Sequence, residues 1–250
     1  MLEIDPDLPV AHNFYTYFEI EEKGRAPEAM TRLLERVGRG AADPHLFAGL
    51  VVACRFCGLL EASLTADRRA RRIDPSIQTS VQYTYWAMGD YHQAALHDVE
   101  DIQAIRHGAL WMLGRYDEAI AGVREALSHA PGSLEHWIVE SQLAAMEGRP
   151  DDCLAHARAI LDAGFHDPEG LMLHCRELAF LGLVPQALEM PQQVVDYGYH
   201  CVTCSPSTPG WIRCGARPRS FARSGRRKQG APGPRRLTRA RAGNDCSGVG

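Results

Sequence analysis

A glycine that recurs every 34 residues constrains the fold of this chain more than any other feature. The same interval separates Gly24 from Gly58, Gly114 from Gly148, and Gly148 from Gly182. A small residue stands five positions after each glycine, and one further copy with shorter intervals lies between the two groups. The six pairs are Gly24 with Ala29, Gly58 with Ser63, Gly89 with Ala94, Gly114 with Ala119, Gly148 with Cys153 and Gly182 with Ala187. A fixed period of this length indicates a repeat architecture.

Each period predicts two helices. Apolar residues recur at helical spacing on both sides of Gly148, within residues 137–146 and 154–161. The glycine supplies the left-handed backbone conformation that ends the first helix, and the small residue lets the second helix approach the first closely. Two of the glycines are followed 17 residues later by a proline, at Pro75 and Pro131. Each proline is expected to end the second helix of its pair. No stretch alternates with period two, so the sequence predicts an all-α fold.

Two segments carry a family resemblance. One is ALWMLGRYDEAIAGVREALSHAP, Ala109 to Pro131, and the other is WIVESQLAAMEGRPDDCLAHARAIL, Trp137 to Leu161. Both resemble the tetratricopeptide repeat (TPR) family, and the resemblance extends over roughly residues 1–197 of a predicted repeat array at residues 1–200. It implies a right-handed superhelical solenoid of about five antiparallel helix pairs. Because that fold serves many partners, the resemblance implies an interaction role without identifying the partner.

The repeat pattern is irregular in three places. Only 25 residues separate Gly89 from Gly114, too few for two full helices, so we expect a kink of the superhelix between them. Pro191 falls inside the last predicted second helix, which we expect to be short or broken. The sequence around Pro6 resembles the end of a repeat, so the first repeat is expected to be truncated. The exposed ends of such an array should fray first.

Charge divides the chain near residue 200. Residues 201–250 contain eleven Lys and Arg residues and one acidic residue, Asp245. The whole chain has 27 basic and 31 acidic residues, so residues 1–200 hold the remaining 16 and 30. A surplus of negative charge of that size argues against nucleic acid as the ligand of the repeat region.

Two interpretations fit the Pro-, Gly- and Arg-rich residues 201–250. One is a disordered basic arm that binds nucleic acid. The other is an out-of-frame reading of GC-rich DNA, which yields Arg, Pro, Gly, Ala and Ser in abundance and few acids. Back-translation of residues 208–214 in the shifted frame permits Asp-Pro-Trp-Leu-Asp-Pro-Leu, which resembles the end of TPR regions of this type. On that interpretation a one-base frameshift lies between His200 and Thr208.

The cysteines form two C-x2-C pairs, which invite a zinc interpretation. Cys54 and Cys57 are expected in the middle of a helix, where they would pack along one face, so we favour small core residues. His200 with Cys201 and Cys204 is a sharper metal hypothesis, but no second ligand pair follows at the spacing of a zinc finger. Cys153 and Cys175 occupy predicted helix contacts. The sequence therefore predicts neither a metal nor a cofactor.

No constellation for catalysis is visible. The chain lacks an H-E-x-x-H helix and a glycine-flanked nucleophilic serine. Adjacent His174 and Cys175 would point about 100° apart on a helix, which disfavours a dyad. Acids near turns, such as Glu21 and Glu22, are expected to be solvated or to stand at helix starts. The longest apolar run is too short for a membrane span, and no signal-peptide pattern is present. We expect a cytoplasmic, non-enzymatic protein.

The concave groove of the predicted solenoid is the candidate working surface. Counting back from each glycine, the TPR pattern places these residues in the groove: Phe14, Phe18, Arg55, Tyr83, Trp86, Trp111, Gln142 and Arg176. Aromatic residues and Arg dominate binding energy at protein interfaces. The alternative is that the apolar members are buried between repeats, and that Trp86 and Trp111 fill the irregular step.

These observations predict a protein-interaction scaffold that binds a protein or peptide in its groove. The segment Phe47 to Pro75 resembles regions that follow kinase, cyclase or winged-helix domains in bacterial signalling proteins, so we expect a piece of such a protein. One alternative is a nucleic-acid-associated regulator that uses the basic residues 201–250. Another is a sensor of a small ligand in the groove.

Overall fold

The computed structural model describes residues 8–40, 42–96, 103–129, 134–189, 191–196 and 198–199. Within these ranges every regular element is helical, as the sequence predicts. In chain order the helices are α1 (Pro9–Tyr17), continued by a π-helical turn (Phe18–Glu22), α2 (Ala26–Gly38), α3 (Pro44–Phe56), α4 (Leu60–Ile73), α5 (Val81–Met88), α6 (Tyr91–Leu96), α7 (Gln103–Met112), α8 (Tyr116–His129), α9 (Leu134–Met146), α10 (Pro150–Asp162), α11 (Pro168–Phe180), α12 (Val184–Ala187) and α13 (Pro191–Asp196). None of the described helices has both the length and the apolar character needed to cross a membrane.

The repeating glycines end the first helix of each pair, as predicted. All six have a positive φ, between 63° and 82°. At Gly114, the glycine N–H donates to the Trp111 carbonyl at 2.9 Å, and the Arg115 N–H donates to the Leu110 carbonyl at 3.0 Å. These bonds satisfy carbonyls that would otherwise be unpaired at the end of α7. The chain can then reverse and begin α8 within two residues.

The small residues after the glycines lie at the contacts between paired helices. All six are fully buried. In the pair α3–α4, the Ser63 hydroxyl donates to the Val51 carbonyl at 2.7 Å, which holds the two helices in close contact. The predicted role of this position is therefore confirmed.

Two of the three irregular places in the repeat contain short helices, and the third, around Pro6, lies outside the described ranges. Between Gly89 and Gly114, the described part of α6 has six residues and α7 has ten, whereas α3 and α4 have 13 and 14. The predicted kink itself depends on residues 97–102, which lie outside the described ranges. Near the other end, α12 has only four residues and a new helix begins at Pro191, so the predicted break is confirmed.

The first and last helix pairs contact each other. A Cβ atom on Gly198 would lie 2.4 Å from the Gly24 carbonyl oxygen, so the two backbones touch. The rings of Phe56 and Tyr199 pack edge to face with centroids 4.9 Å apart. In an open solenoid each repeat contacts only its neighbours. The expectation of two exposed ends is therefore wrong for these segments, because each covers part of the other.

We predict that Gly114→Ala lowers the free energy of unfolding by about 1–2 kcal/mol, since an L side chain is strained at positive φ. Space is not the cause, because no atom lies within 4 Å of an added Cβ there. Gly38 is the matched control: it is equally open but has no positive φ, so Gly38→Ala should be neutral or stabilising. Urea unfolding of both variants tests this. Equal losses would show that the left-handed conformation is not the cause.

Candidate functional site

Four of the predicted groove residues line a single pocket. Trp86 comes from α5, Trp111 from α7, Gln142 from α9 and Arg176 from α11, so four successive helix pairs each contribute one side chain. The pocket has a volume of about 60 Å³ and is half open to solvent. The repeat register thus brings together side chains that are up to 90 positions apart in the sequence.

The walls of this pocket are mostly apolar. Trp111 is only 7% exposed, and its ring packs edge to face on Tyr116 and Phe180 at 4.5 and 5.8 Å. A Cβ on Gly108 would lie 2.8 Å from the Trp86 ring, so the missing side chain is what admits this indole. The remaining lining residues are Met112, Ala145, Met146, Leu173, Glu177 and Phe180. Trp111 thus belongs to the core as well as to the wall.

Arg176 forms the cationic part of the rim. Its guanidinium lies 4.4 Å from the Trp86 ring centroid, within cation–π range, and its Nη2 donates to the Tyr91 hydroxyl at 2.7 Å. Tyr91 in turn packs edge to face on Trp86, with centroids 5.2 Å apart. Three side chains from α5, α6 and α11 therefore hold one another in place.

Tyr83 lines a smaller pocket of about 20 Å³ that shares Trp86 and Arg176 with the first. Glu169 and Tyr199 also border this second pocket. The Arg55 guanidinium lies 5.2 Å from the Tyr83 ring centroid. Five of the eight predicted groove residues thus line one or both of two neighbouring pockets.

Arg55 does not reach the surface of the groove. It is 1% exposed, and it binds Glu169 with two hydrogen bonds, from Nε to Oε1 at 2.6 Å and from Nη2 to Oε2 at 2.7 Å. Its Nη1 donates to the Ser80 carbonyl at 3.1 Å. The sequence pattern places Arg55 on the correct helix face, but Glu169 from α11 covers it. Direct contact with a partner is therefore ruled out for this side chain in this conformation.

Phe14 and Phe18 lie apart from both pockets. Phe14 is 67% exposed and Phe18 is 46% exposed, and the ring of Tyr15 lies 6.0 Å from that of Phe18. They form a separate aromatic patch on α1 and the π-helical turn. The sequence grouped them with the other groove residues because the repeat register assumes an open groove of uniform shape.

The described cysteines are core residues. Cys54 is buried in α3. Cys57 caps the end of that helix and is only partly buried, so the prediction that it lies in the middle of the helix is wrong. Burial raises the pKa of Cys54 to about 11 and those of Cys153 and Cys175 to about 12. Such thiols stay protonated near neutral pH and are poor nucleophiles and metal ligands. The other C-x2-C pair, Cys201 and Cys204, lies outside the described residues.

A buried polar cluster that the sequence did not predict links α9 to α11. The Ser141 hydroxyl donates to Glu177 at 2.8 Å, and His174 Nδ1 lies 3.1 Å from the same carboxylate oxygen and 3.3 Å from the Ser141 hydroxyl. A catalytic triad needs the serine and the acid on opposite ring nitrogens. Here both contact Nδ1 and Ser141 is fully buried, so the cluster is structural. In the described ranges no group of three His, Cys, Asp or Glu residues could hold a metal ion.

Carboxylates collect where the two ends of the array meet. Burial, followed by the charges of Asp167 and Glu169, raises the pKa of Glu21 to about 7. Burial, followed by the charge of Glu169, raises the pKa of Asp167 to about 6. Glu21 is only partly exposed, so it is not the fully solvated residue that the sequence suggests, and His166, just before α11, lies 3.1 Å from the neighbouring Glu22.

No family model matches this chain, and no curated protein is significantly similar to it.

We predict that Arg55→Ala destabilises the protein by about 3–5 kcal/mol, because it leaves the Glu169 carboxylate buried without its counter-ion. The double variant Arg55→Met with Glu169→Leu should recover much of that loss, since no unpaired charge remains. Arg115→Ala is the control, because it breaks an ion pair whose side chains are both about half exposed and should change little. Chemical denaturation measures all three. A double variant as unstable as the single one would contradict this account.

We predict that the free energy of unfolding falls as the pH rises from 5.5 to 7.5. Glu21 and Asp167 have a higher pKa in the folded protein than in the unfolded chain, so folding is favoured while they are protonated. That contribution is complete below the unfolded pKa values and is lost as the pH rises through about 6 and 7. Glu21→Gln should flatten the profile. Unfolding curves at several pH values test this, and an unchanged slope in Glu21→Gln would exclude Glu21 as a source.

Proposed function

We propose that this chain is a non-enzymatic, TPR-like protein-interaction module that binds a peptide segment of a partner protein in the pocket between Trp86 and Trp111. The observation that carries the proposal is the assembly of Trp86, Trp111, Gln142 and Arg176 from four successive helix pairs around one pocket. Trp and Arg are among the residue types most enriched in binding hot spots, and a half-open apolar pocket is where such residues act.

The size of the pocket favours one side chain of a larger partner. A buried water needs about 10–15 Å³, and pockets for drug-sized ligands measure about 300–1,000 Å³. A volume of about 60 Å³ therefore suits a single aliphatic group of a few carbon atoms. A partner that inserts one anchor would gain about 1.5–3 kcal/mol from burying a side chain such as Leu or Met. The rest of its affinity would come from contacts along the groove.

The burial of candidate nucleophiles supports a non-enzymatic role. Ser141, Cys153 and Cys175 are each fully buried, and burial raises the pKa of both thiols. Activated nucleophiles need a lowered pKa or an aligned base, together with access to substrate. A binding role requires only the exposed rim of the pocket.

The proposal predicts that peptides selected from a random library on the full chain bind through the pocket. We expect Trp86→Ala to weaken such peptides by about tenfold or more, a loss typical of a hot-spot residue. Phe14→Ala, in the separate aromatic patch, is the matched control and should leave the affinity within about twofold. Thermal melts of both variants check that the fold is intact. Trp111 is unsuitable for this test because it also belongs to the core.

Two results would overturn the proposal. One is that no peptide family is enriched by the full chain. The other is that the selected peptides depend on Phe14 and not on Trp86, which would place binding on the aromatic patch.

A further inference from the structure

Among the residues that the structure describes, the guanidinium of Arg176 at the pocket rim has no counter-ion. In the described part of the chain, no carboxylate lies within 4 Å of its guanidinium. A guanidinium has five N–H donors, and the one bond described here is to the Tyr91 hydroxyl. Arg32 and Arg55 also lie close to an aromatic ring and donate hydrogen bonds, but each of them has a carboxylate partner as well.

The neighbouring acids are already engaged. Glu169 borders the smaller pocket, but both of its oxygens accept hydrogen bonds from Arg55. Glu177 lines the main pocket, and its Oε2 accepts from Ser141 and faces His174. Both carboxylates are thus oriented by other partners, and the positive charge of Arg176 remains available to a ligand.

The surroundings of Arg176 favour a planar anion. Stacking on Trp86 removes water from one face of the guanidinium, while donors in its plane remain for a carboxylate, which can accept two parallel hydrogen bonds. The contact with Tyr91 fixes the side chain before binding, so little rotamer entropy is lost when a ligand arrives.

Another wall of the pocket is formed by Gln142, whose two amide atoms differ in their hydrogen bonding. Nε2 of Gln142 donates to the Ala104 carbonyl at 2.9 Å, which fixes the orientation of the amide. Its Oε1 is buried and accepts no hydrogen bond from any described residue. This oxygen has almost no accessible surface, so Gln142 contributes shape to the wall and not a polar contact to a ligand.

We infer that the bound segment carries an Asp or Glu next to its aliphatic anchor, with the anchor in the pocket and the carboxylate on Arg176. This inference rests on the proposed function and specifies its ligand. The acidic surplus of residues 1–200 limits the number of such groups, because a strongly acidic segment would be repelled. One carboxylate flanked by uncharged or basic residues fits both Arg176 and the overall negative charge. At physiological salt, charges more than about 8 Å away are largely screened, so the attraction to Arg176 outweighs the repulsion from distant acids.

Parallel selections on the full wild-type chain and on Arg176→Gln test the inference. Wild type should enrich peptides with Asp or Glu within two positions of an aliphatic residue, and Arg176→Gln should lose that enrichment. Arg115→Gln removes the same charge from a residue that lines neither pocket and should keep the enrichment. We then expect an acetylated and amidated Gly-Leu-Asp-Gly to bind about tenfold more tightly than its Gly-Leu-Asn-Gly analogue, as is common for a charge-assisted bidentate contact.

The outcomes separate this inference from the proposed function. If the selected peptides depend on the pocket but show no preference for Asp or Glu, the inference is wrong and the proposed function stands. The same conclusion follows if the preference for Asp or Glu persists in Arg176→Gln. Enrichment of no peptide at all would overturn both. A last experiment titrates 4-methylpentanoate into the full chain and monitors binding by the indole NMR signal of Trp86. If this free acid binds as tightly as the peptide, the site takes a small organic acid and the peptide inference is wrong.

Discussion

The buried ion pair between Arg55 and Glu169 is the contact on which the arrangement of the helices depends. Moving two charges out of water costs several kcal/mol per ion, so the pair persists only because both carboxylate oxygens and three guanidinium nitrogens are hydrogen-bonded. It joins α3 to α11, which are 114 positions apart at this contact. Arg176 lies two helical turns after Glu169 on α11, on the same face. Fixing Glu169 therefore also fixes Arg176 against Trp86.

The local features of the repeat could be predicted from the sequence because each depends on a few neighbouring residues. A helix end at Gly114 needs only a residue that tolerates positive φ, and a close helix contact at Cys153 needs only a small side chain. The convergence of Trp86, Trp111, Gln142 and Arg176 could also be predicted, since successive repeats repeat the same geometry. These predictions need no knowledge of how the two ends of the array are related.

The predictions for Arg55 and Glu21 failed because both residues face Asp167 or Glu169, which are distant in the sequence. The repeat pattern predicts Arg55 in the groove because its helix position faces inward, and nothing in the local pattern identifies Glu169 as its cover. Glu21 was expected in solvent because acids beside a turn usually are. Its high pKa arises first from burial and then from the charges of Asp167 and Glu169, whose approach no spacing in residues 1–60 specifies. Non-local closure of this kind is invisible to a periodicity argument, which describes one repeat and its neighbours.

The contact between α3 and α11 also explains why the candidate site is small and well ordered. An open superhelical groove would leave Trp86 and Arg176 free to adopt many rotamers, and binding would have to restrict them. Here α11 is held against α3 by the ion pair, and the absence of a side chain at Gly108 lets the Trp86 ring settle into the wall beneath Arg176. The same contacts that stabilise the array thus hold the rim in position before a ligand arrives. A change at Arg55 should therefore alter binding through the position of α11, although Arg55 itself contacts no ligand.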